Sequence, residues 1–223
     1  MRQPITSIAI SLSTFCDMKC PNCCCAMQIL SNKQKHFFDL CYLLQAARLF
    51  YGIDRIHITG GEPTLHPDFL DIVPRLKHLF GCNKLTIETN GFGFERFKNQ
   101  LSVFLNFDTI YFSHYRKDFY EGFEDNEHLI AGFLDWIDEY VVTGVPEVVV
   151  GEIDHVDRSL RPGKNICHRG TSEAVAYVDG KIYPCCIGSG LDTKVYLENP
   201  GPDWRERILE INPPCEECFF ALP

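Results

Sequence analysis

Segments with the hydrophobic pattern of a strand alternate with segments that have the pattern of a helix along the first two thirds of the chain. Short apolar stretches, several of them rich in β-branched residues, predict five strands: residues 5–13, 53–59, 84–89, 108–113 and 147–153. Helical spacing predicts a helix from Asp39, a good N-cap residue, to about Tyr51. Two further helices are expected, over residues 67–80 with Pro74 inside, and over a stretch that includes residues 129–137.

This alternation of strands and helices predicts an α/β fold built on a parallel sheet, because parallel neighbours need a crossover connection and the helices supply it. Five strands are too few to close an eight-stranded barrel, so we expect a partial, open TIM-like β/α barrel. In such sheets the site lies at the carboxyl ends of the strands. The predicted strands end at a cysteine-rich loop, at Gly-Gly-Glu-Pro over residues 60–63, at Asn90 and at Ser113. We therefore expect these four features to lie together.

The last quarter of the chain has a different character. Residues 174–183 predict a β-hairpin around Asp179-Gly180, and residues 204–211 predict a short helix. The segment holds too few apolar residues to fold alone but contains five cysteines, so a metal centre is expected to take the place of a core. We predict two domains, a partial barrel over residues 1–160 and a small metal-centred domain over residues 161–223.

Composition narrows the classes of protein that remain. The chain has 223 residues and a net charge of -9, which argues against nucleic-acid binding. No apolar run is long enough to cross a membrane, and no cleavable export signal follows Met1. Twelve cysteines would suit a secreted disulfide scaffold, but their ligand-like spacings and runs such as Cys23-Cys24-Cys25 favour metal ligation. We therefore expect a cytoplasmic protein without nucleic-acid or membrane partners.

The cysteines near the front of the chain have the spacing CxxxCxxC, formed by Cys16, Cys20 and Cys23. Three thiolates on one loop can hold three irons of a [4Fe–4S] cluster and leave the fourth iron open to a small molecule. The spacing alone would also suit zinc. A further ligand from Cys24 or Cys25 would close the cluster and leave an electron carrier.

Followed by Gly-Gly-Glu-Pro, this loop resembles the signature of the radical S-adenosylmethionine (radical SAM) superfamily. The resemblance implies that Cys16, Cys20 and Cys23 hold the cluster and that S-adenosylmethionine binds its open iron. It implies that Glu62 accepts a hydrogen bond from the methionine ammonium. The cofactor-binding residues that it implies are Gly60, Gly61, Glu62, Pro63, Asn90 and Ser113. For Asn90 and Ser113 the alternative is an ordinary polar residue at a turn or strand end.

The late cysteines Cys167, Cys185, Cys215 and Cys218 resemble the ligands of a Twitch domain, the short form of the SPASM extension of radical SAM enzymes. The resemblance implies that their four thiolates hold an auxiliary [4Fe–4S] cluster. A structural zinc ion is the alternative, since four thiolates suit zinc as well. Cys186 is the alternative ligand to Cys185.

The resemblance implies an enzyme that reductively cleaves S-adenosylmethionine to a 5′-deoxyadenosyl radical and removes a substrate hydrogen. The auxiliary cluster would then oxidise the substrate radical, so we favour an oxidoreductase that dehydrogenates a small-molecule alcohol. The alternatives are a peptide-modifying maturase that forms cross-links, thioethers or epimers, a non-catalytic iron–sulfur carrier or sensor, and a zinc-binding module. The implied partners are an electron donor such as flavodoxin or ferredoxin and a small-molecule or short-peptide substrate.

Residues beyond the fourth and fifth strands are candidates for contact with the substrate. His155 and Arg158 are candidate catalytic residues that could take a proton from a substrate radical, a role suggested by their position alone. The other candidates for substrate contact are His114, Tyr115, Glu152 and Arg161.

Overall fold

The computed structural model describes residues 5–18, 36–114, 125–140, 143–152, 174–178, 180–183, 196–198 and 200–210. Its strands are β1 (Ser7–Ser13), β2 (Arg55–Gly60), β3 (Lys84–Thr89), β4 (Thr109–His114), β5 (Glu147–Glu152), β6 (Ala174–Val178) and β7 (Lys181–Tyr183). Its helices are α1 (Leu40–Phe50), α2 (Phe69–Phe80), α3 (Gly93–Phe97), α4 (Glu127–Tyr140) and α5 (Trp204–Glu210), with short 3-10 helices at Pro63–Leu65 and Leu101–Asn106. The strands and helices that the sequence predicts are present, whereas α3 and the 3-10 helices were not predicted.

The strands form one seven-stranded sheet in the order β5-β4-β3-β2-β1-β6-β7. All neighbouring pairs are parallel except β6 and β7, which are antiparallel. The predicted α/β class with a parallel sheet is therefore confirmed. The order of the described strands is linear, with β5 and β7 at the edges, and the curvature of a partial barrel stays a prediction.

The C-terminal hairpin extends this sheet. Strand β6 lies parallel against β1, and β7 follows after Gly180, whose φ of 75° favours glycine. Trp204 of α5 is buried, and its indole Nε1 donates to the carbonyl oxygen of Leu49 at 3.1 Å. The described parts of residues 161–223 thus pack on the first half of the chain. The division into two domains and the metal-centred organisation of the second stay predictions.

Helix boundaries follow local sequence signals. Asp39 precedes α1, and its carboxylate accepts a hydrogen bond from Tyr42 N at 3.0 Å, as expected of an N-cap. Helix α2 begins at Phe69, two residues after the predicted start, continues through Pro74, and ends at Gly81 with a φ of 58°. No helix in these described ranges is long and apolar enough to cross a membrane.

The unpredicted helix α3 and the second 3-10 helix exist because they supply aromatic residues to the core. The rings involved are all buried: Phe69, Phe94, Phe97, Phe104, Phe112 and Phe133. Phe94 stacks on Phe133 with ring centroids 4.5 Å apart, and Phe104 contacts both edge-on. Tertiary packing thus stabilises two segments that are too short to be helical alone.

Alternation along the strands gives the sheet two different faces. The apolar face packs on the helices and includes Ile8, Ile10, Ile56, Ile58, Leu85, Ile87, Ile110 and Phe112. We call the other side the polar face, formed by Ser11, His57, Thr59, Thr86, Glu88, Thr109, Tyr111 and Ser113. Because paired residues of parallel strands point to the same side, these polar side chains form rows across the sheet.

Candidate functional site

The ends of β1 and β2 stay paired beyond the regular strands. Gly61 N donates to Ser13 O, and Glu62 N donates to Phe15 O, both at 2.8 Å. A Cβ atom added to Gly61 would lie 1.9 Å from Phe15 O, and one added to Gly60 would lie 2.4 Å from Ser13 O. Glycine is therefore required here by the approach of two backbone segments. The contact fixes the start of the cysteine loop beside Gly-Gly-Glu-Pro.

Cys16 lies directly after this contact and is the one predicted cluster ligand within the described ranges. It is half-buried, and its Sγ accepts a hydrogen bond from Met18 N at 3.4 Å. An N–H bond to sulfur stabilises a thiolate and tunes an iron–sulfur centre, so this environment fits the predicted ligand role. The other predicted ligands lie outside the described residues: Cys20, Cys23, Cys167, Cys185, Cys215 and Cys218.

The carboxylate of Glu62 joins the end of β2 to the end of β3. Its Oε1 accepts from Thr64 N at 3.1 Å, from Thr64 Oγ1 at 2.6 Å and from Thr89 Oγ1 at 2.7 Å. Its Oε2 accepts from Asn90 N at 2.8 Å. Glu62 is only 2% exposed, so these four protein donors take the place of water. Acceptance of a further bond from a ligand ammonium stays a prediction.

Burial raises the pKa of Glu62 to about 7, although hydrogen bonds from Asn90, Thr64 and Thr89 act to lower it. Desolvation disfavours the charged carboxylate more than the four donors favour it. The group is therefore balanced between its neutral and ionised forms near neutral pH.

Asn90 links the cysteine loop to the end of β3. Its Nδ2 donates to Asp17 Oδ1 at 2.7 Å, and its Oδ1 accepts from Phe92 N at 3.0 Å. Asp17 directly follows Cys16 in the chain. The amide of Asn90 therefore holds the start of the cysteine loop at the end of β3. The structure thus brings the start of the cysteine loop, Gly-Gly-Glu-Pro and Asn90 to one edge of the sheet.

A second buried asparagine, Asn126, was missed by the sequence analysis. It is fully buried, and its Nδ2 donates to Asn90 O at 2.6 Å and to Ser113 O at 2.8 Å. One amide group thereby spans the ends of β3 and β4. An asparagine just before a helix indicates an N-cap, a local role that hides this long-range one.

The two residues at the end of β4 point to different sides. Ser113 lies on the polar face, where its Oγ donates to Glu88 Oε1 at 3.5 Å. The side chain of His114 is turned toward the residues before α4, with Nε2 3.9 Å from Asp125 Oδ1. This buried Nε2 has no hydrogen-bond partner among the residues that the structure describes. Its spacing to Asp125 and Glu127 would suit a small metal ion.

For the remaining candidates for substrate contact, the structure describes no side chain. Glu152 ends β5, but its side chain is not among those described. Tyr115, His155, Arg158 and Arg161 lie outside the described residues. The catalytic roles suggested for His155 and Arg158 stay predictions.

Comparison with known proteins identifies the family. Residues 10–153 match the model of the radical SAM superfamily, and the chain therefore belongs to this superfamily. It is 34% identical over 93 residues to the GTP 3',8-cyclase of Haemophilus ducreyi, a match that covers 41% of this chain and 27% of the cyclase. It is 35% identical over 96 residues to molybdenum cofactor biosynthesis protein 1 of Homo sapiens, covering 42% and 15%. The chain thus spans about a quarter of the first relative and less of the second.

Solved structures support the same fold. BtrN in complex with AdoMet and 2-DOIA has a TM-score of 0.62 and 14% identity, covering 96% of this chain and 85% of BtrN. An open conformation of BtrN has a TM-score of 0.59 and 15% identity, and the match covers 98% of this chain and 94% of BtrN. At 14% and 15% identity, the likeness shows a shared fold alone. Membership of the superfamily implies S-adenosylmethionine and a [4Fe–4S] cluster, whereas the Twitch domain and auxiliary cluster stay predictions.

We expect Gly61→Ala to displace the start of the cysteine loop, because the new methyl group would overlap the carbonyl oxygen of Phe15. After anaerobic reconstitution, the variant should bind less than half of the wild-type iron at the front cluster. Gly132→Ala is the control, since nothing lies within 4 Å of its added Cβ. Iron content and visible absorption give the measurement. Equal loading of both variants would contradict the role of this contact.

We expect Asn126→Ala to weaken S-adenosylmethionine binding about tenfold, because it frees the ends of β3 and β4 from each other. Two buried carbonyl groups would lose their donor, which costs about 1–3 kcal/mol each in unfolding free energy. Asn106→Ala is the matched control, as it removes a similar bond from Asn106 Nδ2 to Val103 O. Equilibrium binding to reconstituted protein is the measurement. A similar loss of affinity in both variants would count against a specific role for Asn126.

Titration of Glu62 should appear in the pH dependence of stability. Because its folded pKa of about 7 lies above the ordinary value of 4.5, the folded chain binds this proton more tightly. The stabilisation is complete below about pH 4.5 and is lost as pH rises to about 7, a fall of about 3 kcal/mol. Urea unfolding at a series of pH values should show this fall in the wild type but not in Glu62→Gln. Parallel curves for the two proteins would refute the raised pKa.

Proposed function

We propose that this chain is a radical SAM enzyme that reductively cleaves S-adenosylmethionine and removes a hydrogen atom from a small-molecule substrate. The observation that carries the proposal is the linked edge of the sheet. Glu62, Asn90 and Asp17 hydrogen-bond in series, which links the end of β2, the end of β3 and the start of the cysteine loop. Such preorganisation suits the precise placement of a cofactor and a substrate.

The residues at this edge would divide the work of binding. When bound, the cluster and S-adenosylmethionine supply a carbon radical that accepts a hydrogen atom from the substrate. Cys16 would hold the cluster together with Cys20 and Cys23. Gly60 and Gly61 bring Gly-Gly-Glu-Pro into contact with the loop. The burial of Glu62, Thr89 and Asn90 keeps water from this side of the site.

We further propose that the substrate is an alcohol and that the product is a ketone. An alcohol carbon that has lost one hydrogen atom becomes a ketone when it loses one electron and one proton. The late cysteines Cys167, Cys185, Cys215 and Cys218 would hold the centre that takes the electron, and His155 or Arg158 would take the proton. The proposal draws on the number and spacing of these cysteines. It does not draw on the curated relatives, because these include a cyclase. The electron that starts each cycle would come from a flavodoxin or ferredoxin.

Reduction of the reconstituted protein in the presence of S-adenosylmethionine should yield 5′-deoxyadenosine. Cys16→Ala should lower the yield by more than a hundredfold, because it removes a cluster ligand, whereas Cys41→Ala should retain it, because Cys41 is exposed on α1. Iron and sulfide analysis and chromatography of the products give the measurement.

Three results would separate the alternatives. Zinc without iron would indicate a zinc-binding module, and an iron–sulfur protein that leaves S-adenosylmethionine intact would indicate an electron carrier. Cys215→Ala should still form 5′-deoxyadenosine but no longer oxidise the substrate. Full substrate turnover by Cys215→Ala would mean that the auxiliary centre has only a structural role. The argument for dehydrogenation would then lose its support.

A further inference from the structure

The two oxygens of the Glu62 carboxylate are used very differently by the protein. Oε1 accepts three hydrogen bonds, from Thr64 Oγ1 at 2.6 Å, from Thr89 Oγ1 at 2.7 Å and from Thr64 N at 3.1 Å. From the described residues Oε2 accepts one bond, from Asn90 N at 2.8 Å. Each carboxylate oxygen offers about two lone pairs, so Oε2 is the oxygen with capacity for a further donor.

Gly93, the first residue of α3, packs directly against the hydroxyl group of Thr64. Both residues are buried. A Cβ atom added to Gly93 would lie 2.1 Å from Thr64 Oγ1 and 2.4 Å from Thr64 Cβ. Atoms that are not bonded do not approach this closely, so a larger residue would displace either the Thr64 side chain or the start of α3. The lack of a side chain at Gly93 thus leaves room for the Thr64 hydroxyl beside Glu62.

A second contact joins α3 to the 3-10 helix that contains Thr64. Arg96 follows Gly93 by three residues, so both lie on one face of α3. Its Nη1 donates to Leu65 O at 3.3 Å and to Thr64 O at 3.5 Å. Helix α3 therefore contacts both the side chain and the carbonyl group of Thr64, the residue that makes two of the four hydrogen bonds to Glu62.

Helix α3 is anchored in the core, whereas Thr64 belongs to a 3-10 helix of only three residues. The rings of Phe94 and Phe97 on α3 are buried, and each stacks on another aromatic ring of the core. A shift of α3 would disturb this close packing, and a shift of Thr64 would not. We therefore expect a clash at Gly93 to be relieved by movement of the Thr64 hydroxyl away from Glu62.

We infer that Gly93 is a positioning residue for S-adenosylmethionine and that it acts through Thr64, whose hydroxyl it holds against Glu62 Oε1. With Oε1 occupied by protein donors, Oε2 is the oxygen that accepts from the methionine ammonium. This inference rests on the proposed function and on the expected hydrogen bond from that ammonium to Glu62. It adds a residue outside Gly-Gly-Glu-Pro to the set that determines how the cofactor binds.

A purely structural role for Gly93 would have a different consequence. If Gly93 served only the packing of α3, its replacement would weaken the binding of every ligand at this edge to a similar extent. If it acts through the Thr64 hydroxyl, the loss is confined to ligands that carry the ammonium group, because only these donate to Glu62. The two roles are therefore separated by comparing ligands with and without that group.

Equilibrium binding to the reconstituted protein tests this role with two probes, S-adenosylmethionine and its deaminated analogue, in which hydrogen replaces the amino group. We expect Gly93→Ala to weaken S-adenosylmethionine binding about tenfold, the loss typical of one hydrogen bond to a charged group. Its affinity for the analogue should change by less than about twofold. Gly132→Ala is the control and should keep both affinities, since nothing lies within 4 Å of its added Cβ. Equal losses for both probes, or an unchanged affinity for S-adenosylmethionine, would overturn the inference.

A double-mutant cycle tests whether Gly93 acts through Thr64. Thr64→Val removes the hydroxyl group and should also weaken S-adenosylmethionine binding about tenfold. Adding Gly93→Ala to this variant should lower the affinity by no more than about a further twofold, because both changes remove the same hydrogen bond. Losses that multiply to about a hundredfold would overturn the inference. Failure of the wild type to bind or cleave S-adenosylmethionine would instead refute the proposed function.

Discussion

One buried carboxylate organises the functional edge of this molecule. Glu62 has lost nearly all contact with water, and an isolated charge in that position would be strongly disfavoured. Donors from the first 3-10 helix and from the end of β3 compensate in part for the lost hydration. Because the donors come from two segments of the chain, the carboxylate is fully satisfied only when the 3-10 helix and the end of β3 are in register. The demand for hydrogen bonds thus fixes how the 3-10 helix and the end of β3 lie relative to each other.

The contact between β1 and β2 extends this constraint to the cysteine loop. Parallel strands normally diverge after their last ladder bond, but here the absence of side chains at Gly60 and Gly61 lets the backbones stay paired as far as Phe15. Cys16 is therefore held by backbone hydrogen bonds on one side and by the Asp17–Asn90 bond on the other. Both restraints are made by groups of the protein itself. Gly60, Gly61 and Asn90 thus have a structural role in positioning the start of the cysteine loop.

Sequence reasoning recovered the features that repeat locally and missed those that depend on distant partners. Short apolar stretches identified β1 to β5, and Asp39 identified the start of α1, because each signal lies within a few residues. Pairing of β6 with β1 depends on chain segments far apart, which no periodicity records. Asn126 was missed for the same reason, since its partners are carbonyl groups on two other strands. At Glu62 the residue was found, but not the hydrogen bonds that it accepts from Thr64, from Thr89 and from Asn90 N.

Strand β3 contributes side chains to clusters on both faces of the sheet. Neighbouring residues of a strand point to opposite sides, so Thr89 reaches the buried Glu62 carboxylate while Glu88 reaches His57 on the polar face. A shift of β3 by one residue would exchange these side chains and disrupt both clusters at once. The register is held at the other end by Asp108, which accepts from Leu85 N at 2.7 Å and pairs with Lys77 of α2. The placement of the Glu62 carboxylate cluster and of the His57–Glu88 contact is therefore a single structural property, the register of β3 within the sheet.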